Sequence, residues 1–269
     1  MQKVDYYKEE IKFPGLVARG SSDKMAVHRV QENVNLMYKN FGVKKKIRID
    51  DDFGGFTETA IQELQVLFEI EETGIVNEET WNHLIAPIST AFTCALEETD
   101  DLRENVLSRA QLMLDCSPME LGKNSGPWVR SFMLGKDGEW AAWCAGSVCT
   151  IYYLEAQRLM DRGIKIDPMS FEYSWSVPKM VMEAKREGRW IDPFNILKEE
   201  FQVGDFFVVY NPKSEYIYTH IGIIIVIDKE KGIIVTCEGN TNDEGSAEGY
   251  EWCKRQRSIT KGQIGIIKI

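Results

Sequence analysis

The sequence predicts an α+β protein in which a small three-helix domain precedes a larger domain of helices packed on an antiparallel sheet. Three observations predict it. Apolar residues recur at helical spacing three times in the first 86 residues, and helical spacing continues to about Met160. From there to the end the apolar residues fall in strand-like runs, among them Ile221–Ile227 and, after a polar turn, Ile233–Glu238. A chain of 269 residues, 43% apolar and 11% aromatic, is long enough to bury two such cores. The expected division is a three-helix domain at 1–86, a linker at 87–102 and the larger domain at 103–269.

In the first domain, Arg19, Gly20, Ser21 and Ser22 give a polar entry, and Val27, Val30, Val34 and Met37 then mark one face of a first helix. A basic, turn-rich interval leads to Asp50–Thr57, with Thr57 as the expected N-cap of a second helix through Ala60, Ile61, Leu64, Leu67 and Phe68. Asn77 is placed to cap a third, with Glu78 and Glu79 in its first turn where the helix dipole favours them, and Trp81 and Leu84 on its apolar face. The triplet Asp50, Asp51, Asp52 lacks the alternating oxygen ligands of a calcium loop and reads as a solvated turn.

The Gly20-Ser21 entry, the Val30-Gln31 pair, the Phe53–Thr57 turn and the closing Thr80-Trp81-x-x-Leu84 resemble, in order, the peptidoglycan-binding three-helix module. One departure is Asp50-Asp51 in place of the usual Asp-Gly. The resemblance covers about residues 15–86 and implies peptidoglycan as partner. Residues 87–102 hold Pro87, a Ser-Thr pair and an acidic stretch, a composition that reads as a linker.

The formal charge is −10, about −4 on residues 1–90 and about −6 on the rest, so neither half offers the basic surface that nucleic acid requires. Ile221–Ile227 is too short to cross a bilayer, so no membrane partner is expected. The first twenty residues are charged throughout and lack the apolar stretch of a secretory signal. The expectation is cytoplasmic synthesis without a signal peptide, followed by action elsewhere after release or export. Six cysteines at irregular intervals include no CxxC pair, which disfavours zinc and leaves most of them as buried apolar fillers.

One cysteine differs. Ala145, Val148, Cys149, Tyr152, Ala156 and Leu159 form one face of a helix that begins near Cys144, so Cys144 sits where unpaired N–H groups and the positive end of the dipole favour a thiolate. Cys149 lies within that face and reads as core. A thiolate nucleophile needs a base, and the chain has three histidines: His28 and His83 in the N-terminal helices, and His220 at the start of a strand. If the two strands fold as a hairpin about position 229 or 230, the residue opposite His220 is Glu238 or Asn240. Either could fix the imidazole tautomer, as a Cys-His-acid triad requires, and a one-residue bulge would change the choice.

The segment Glu120 to Val129, then Trp143-Cys144-Ala145, then Thr219 to Gly222, then Glu238-Gly239-Asn240 resemble the CHAP family of cysteine, histidine-dependent amidohydrolases and peptidases, across about residues 103–269. The resemblance implies a papain-like fold and cleavage of peptidoglycan peptides. It assigns Cys144 as nucleophile, His220 as general base, Glu238 as the residue that orients the histidine, and Asn240 a supporting polar role. Gly146 and Ser147 stand where many members carry larger residues. The acidic calcium loop of some phage members is not evident before Cys144, so neither a metal nor another cofactor is expected. Trp140, Trp143 and Trp175 are candidates for a substrate groove, or for core.

The expectation is a monomeric peptidoglycan hydrolase, an N-acetylmuramoyl-L-alanine amidase or peptide endopeptidase, in the setting of a phage endolysin. A secreted antibacterial amidase toxin and a catalytically weak wall-binding adaptor are the alternatives.

Overall fold

The structure is a computed structural model that describes residues 2–97, 99–166, 173–242 and 249–269. Nine helices and six strands are present among them, in an α+β arrangement. After the short helix α1 (Tyr7–Ile11), three helices build the first domain: α2 (Lys24–Asn40), α3 (Gly55–Leu67) and α4 (Glu78–Leu84). The predicted face of α2 is buried, and Val30, Val34, Ala60, Ile61, Leu64, Trp81 and Leu84 share one core. Asn77 caps α4 by accepting from the Thr80 N–H at 2.8 Å, as its sequence position suggests. The cap expected from Thr57 is absent: Gly54 occupies that position, and the buried Thr57 hydroxyl instead accepts from Gln31 Nε2 at 3.2 Å.

Gln31 and Gln65 play matching parts in this domain. Gln31 Oε1 accepts the N–H groups of Asp50 and Asp51, while its amide nitrogen reaches Asp50, the Asp52 carbonyl and Thr57. Gln65 Oε1 accepts from Thr73 and Gly74, and its amide nitrogen reaches Thr73, the Ile75 carbonyl and Thr80. Asp51 and Gly74 both adopt the left-handed region, with φ of 62° and 70°. Aspartate tolerates that region better than most L residues, which is how Asp51 replaces the usual glycine without losing the turn. Each glutamine thus supplies a loop with the backbone partners it would otherwise lack on burial.

The stretch expected to be a linker opens with helix α5 (Ala86–Thr93), and Glu98 within it lies outside the described residues. Pro87 falls in the first turn, where its missing N–H costs nothing, so it starts a helix here. Ile88, Ala91 and Phe92 are buried in the large core of the C-terminal half, and Tyr7 of α1 stacks on Phe92 at 4.7 Å. The two ends of the first domain are therefore built into the second.

The C-terminal half continues with α6 (Leu102–Cys116), α7 (Pro127–Phe132), α8 (Cys144–Asp161) and α9 (Val177–Arg186). Helix α9 lies where only strands were expected; Val177, Met180, Val181 and Ala184 have helical spacing, and Ser176 accepts from the Lys179 N–H as its cap. The strands are β1 (Trp190–Ile191), β2 (Phe206–Tyr210), β3 (Tyr218–Asp228), β4 (Ile233–Thr241), β5 (Glu251–Ser258) and β6 (Ile264–Ile267). They form one antiparallel sheet in the order β1-β6-β2-β3-β4-β5. Helix α8 packs on β3 and β4 over the large core, and a smaller core of Ile191, Phe201, Phe207, Ile224, Ile234 and Ile266 covers the opposite face.

One guanidinium joins the halves. Arg130 of α7 binds Glu10 of α1 through Nε and one terminal nitrogen at 2.7 and 3.0 Å, Glu32 of α2 at 2.6 and 3.0 Å, and Asp137 at 3.0 Å. Glu10 and Glu32 are both only 4% exposed. Arg130→Met leaves two buried carboxylates without their cation, and the expected loss is about 3–5 kcal/mol of stability. Thermal or urea unfolding of the full chain measures it; a change below about 1 kcal/mol would mean that the cluster contributes no more than a surface ion pair.

Candidate active site

Cys144 is the first residue of α8, preceded by the N-cap Trp143. The first intrahelical bond of that end runs from the Ser147 N–H to the Trp143 carbonyl at 2.9 Å, so the N–H groups of Cys144, Ala145 and Gly146 have no partner within the helix. Trp143 is fully buried, stacked on Phe132 at 5.5 Å, and its Nε1 donates to Glu120 at 3.3 Å. It anchors the corner from which the thiol projects and belongs to the core. Small residues let other elements close on that corner. A Cβ on Gly239 would lie 2.6 Å from the Trp143 ring and 2.7 Å from Ser147 Oγ, and one on Gly146 would meet Met133 Sδ at 2.3 Å. Larger side chains at 146 and 147 would push α8 off α7 and β4.

His220 of β3 places Nε2 2.9 Å from Glu238 Oε2 of β4, and the Cys144 side chain acts electrostatically on the same imidazole. Burial alone would lower the imidazole, but its interactions with Cys144 and Glu238 prevail and raise it to about 9. Burial would likewise raise Glu238, yet Arg257 and His220 hold it down at about 2. The other buried thiols have no such setting: burial pushes both Cys149 and Cys237 up to about 12.

The register explains which partner His220 takes. Asp228 pairs with Ile233 at the turn, a bulge falls between Ile224 and Val226, and beyond it Ile223 pairs with Cys237. Continued by one and three residues, that register sets Gly222 opposite Glu238 and His220 opposite Asn240. The bond nevertheless runs diagonally, to Glu238. A side chain at 222 would block it, since a Cβ there would lie 3.0 Å from Glu238 Cγ and 2.7 Å from the Phe207 ring. Asn240 adopts φ of 57°, where the β4–β5 register shifts, and its buried Oδ1 has no hydrogen-bond partner. It makes no bond to His220, so the orienting position that the sequence left open between the two falls to Glu238.

Glu238 itself is fully buried, and sequence reasoning missed two of its partners. Thr236 Oγ1 donates to Oε1 at 2.5 Å, and Arg257 of β5 donates to Oε1 through Nε at 2.6 Å and to Oε2 through a terminal nitrogen at 2.5 Å. Thr236 was findable, because alternation along a strand puts it on the face of Glu238. Arg257 stands opposite Ile234, four residues along β4 from Glu238, and nothing in its own segment marks it.

Near the thiol, Trp140 and Trp175 line a groove of about 560 Å³ with Met133, Ala142, Tyr173 and Lys179. Trp140 is 60% exposed, which separates it from the buried Trp143. Among the described residues, no cluster of three His, Cys, Asp or Glu side chains is placed to hold a metal, and no helix is long and apolar enough to cross a membrane. A thiol at a helix start, an imidazole held by a carboxylate and the ionised carboxylate itself form the arrangement that acyl transfer uses.

Residues 26–84 match the family model of the peptidoglycan-binding domain. The match covers α2 to α4, so a peptidoglycan-binding domain forms the N-terminal part of this protein, which supports peptidoglycan as a partner. No curated protein and no solved structure matches the chain.

The two shifts set opposite edges of stability. His220 lies above its ordinary 6.5, so its contribution is complete below about pH 6.5 and is lost as pH rises through about 9. Glu238 lies below its ordinary 4.5, so its contribution is complete above about pH 4.5 and is lost as pH falls through about 2. Cys144→Ala removes one of the two side chains that raise His220, and the His220 ring, followed by NMR, should then titrate at lower pH than in the wild-type chain. An unchanged titration would show that Cys144 does not act on this imidazole.

Proposed function

We propose that the protein is a peptidoglycan hydrolase that cuts an amide bond of the wall peptide by cysteine nucleophilic catalysis, with Cys144 as nucleophile, His220 as general base and Glu238 as the group that orients the histidine. The observation that carries this reading is the bond from His220 to a buried carboxylate, with a thiol at a helix N-terminus acting on the same imidazole, in a chain that also holds a peptidoglycan-binding domain. The resemblance of Trp143-Cys144-Ala145, His220-x-Gly222 and Glu238-Gly239-Asn240 to the CHAP family supports it, as does a thiol-bearing helix packed on the sheet that carries the imidazole.

The chemistry follows from the positions. His220 takes the Cys144 proton, the sulfur attacks the amide carbon, and the carbonyl pair moves to oxygen. The free N–H groups at the start of α8 stabilise that oxyanion. Collapse of the intermediate expels the amine, which takes the proton back from His220. Water, deprotonated in turn by His220, hydrolyses the thioester and restores the thiol. The binding domain raises the local concentration of wall peptide around this site. Phage endolysin is the setting we propose; an antibacterial amidase toxin would use the same parts.

Cys144→Ala in the full chain should lower wall hydrolysis by about 10³-fold or more while leaving co-sedimentation with insoluble peptidoglycan unchanged. Mass spectrometry of the released ends identifies the bond, since an N-acetylmuramoyl-L-alanine amidase frees an L-alanine terminus and an endopeptidase does not. Wall hydrolysis that persists in folded Cys144→Ala protein would refute the cysteine mechanism.

A further inference from the structure

We infer that Arg257 is a positioning residue of the site, holding Glu238 in the one orientation that presents a carboxylate oxygen to His220. The inference rests on the reading of Cys144, His220 and Glu238 as the catalytic unit. A carboxylate has about four lone-pair directions, two on each oxygen. All four are filled here: Oε1 accepts from Thr236 and Arg257 Nε, and Oε2 from His220 and an Arg257 terminal nitrogen. Two of the four donors belong to one planar guanidinium, whose fork fixes the plane of the carboxylate as a lysine could not. Without it, Glu238 could rotate about its last torsion and keep the Thr236 bond while losing the histidine.

The guanidinium is itself held in place. Its Cζ lies 4.9 Å from the centre of the Phe207 ring, and the same ring stands 6.0 Å from the His220 ring and closes over Gly222. Phe207 thus supports the arginine and the histidine at once. The groups that act on the pair are Cys144 from α8 and Arg257 from β5. Arg255, the next residue on that face of β5, donates to the Asn242 carbonyl, and β2 presents the uncharged Phe207 and Val209. Arg257 also balances charge: with thiolate and imidazolium formed, the four side chains sum to zero, whereas Cys144, His220 and Glu238 alone would leave a buried negative charge.

Two variants separate fork from charge. Arg257→Met removes the fork and the cation together, so Glu238 is free to turn from His220. In the same variant kcat on peptidoglycan should fall about 10- to 100-fold with KM unchanged, and alkylation of Cys144 by iodoacetamide at neutral pH should slow in parallel. Arg257→Lys keeps the charge without the fork, so Glu238 turns from His220, the ring loses a bond that raises it, and the His220 NMR midpoint should fall below the wild-type value while kcat recovers only in part. A folded Arg257→Met protein with wild-type alkylation rate and kcat would overturn the inference, as would an Arg257→Lys protein with wild-type midpoint and kcat. If the wild-type chain releases nothing from peptidoglycan, the hydrolase reading fails, yet the His220 midpoints and the iodoacetamide rates still decide the role of Arg257.

Discussion

A carboxylate with no access to water stays ionised only when donors replace its whole hydration shell, and the arrangement around Glu238 depends on that requirement. The donors come from three adjacent strands: His220 from β3, Thr236 from β4 itself and Arg257 from β5. The strand order β3-β4-β5 is therefore a condition of this arrangement as well as of the fold. Gly222 follows from the same requirement, because the diagonal reach of Glu238 to His220 passes over the position that a side chain at 222 would fill. Truncating one partner of such a buried charge costs about 3–5 kcal/mol, so the site and the stability of this edge of the sheet are linked.

A second constraint binds the peptidoglycan-binding domain to the rest. Arg130 gathers Glu10 and Glu32 from helices on either side of it, and Arg29 of α2 donates to the carbonyls of Glu9, Glu10 and Lys12 at the end of α1. Lys39, near the other end of α2, donates to the Glu120 carbonyl, and Glu120 also holds the indole of Trp143. A continuous path of polar contacts thus runs from the binding domain to the residue before the thiol. The two halves share a core through α1 and α5, so the peptidoglycan-binding domain has a defined orientation relative to Cys144, unlike a domain on a flexible tether.

Much of the local structure was legible. The apolar spacing around Val30, Leu64 and Trp81 marks the helices of the first domain, and the Asn77 cap stands where its sequence places it. Cys144 at a helix start and the hairpin of β3 and β4 were legible for the same reason, since periodicity and turn chemistry act within a few residues. What escaped were features set by partners far along the chain. Pro87 reads as a break until the neighbouring Ile88 and Phe92 find a core to enter, and Thr57 reads as a cap until Gln31 claims its hydroxyl. Helix α9 was legible from Val177, Met180 and Val181 but was covered by the strand signal that follows it.

By itself the sequence determined the periodic elements, the thiol at the head of a helix and the histidine on a strand, because each is settled by interactions within a turn or a hairpin. Whether Glu238 or Asn240 meets His220 was beyond it. A bulge between Ile224 and Val226 shifts the register, an empty position at Gly222 opens the diagonal, and a left-handed backbone at Asn240 takes that residue out of the ladder. The place of Arg257 was further out of reach, since its fork meets Glu238 only after β5 has paired with β4 and Phe207 has come up beneath it. Those contacts join residues separated by nineteen to fifty positions and have no local energetic signature, so only the packed sheet decides them.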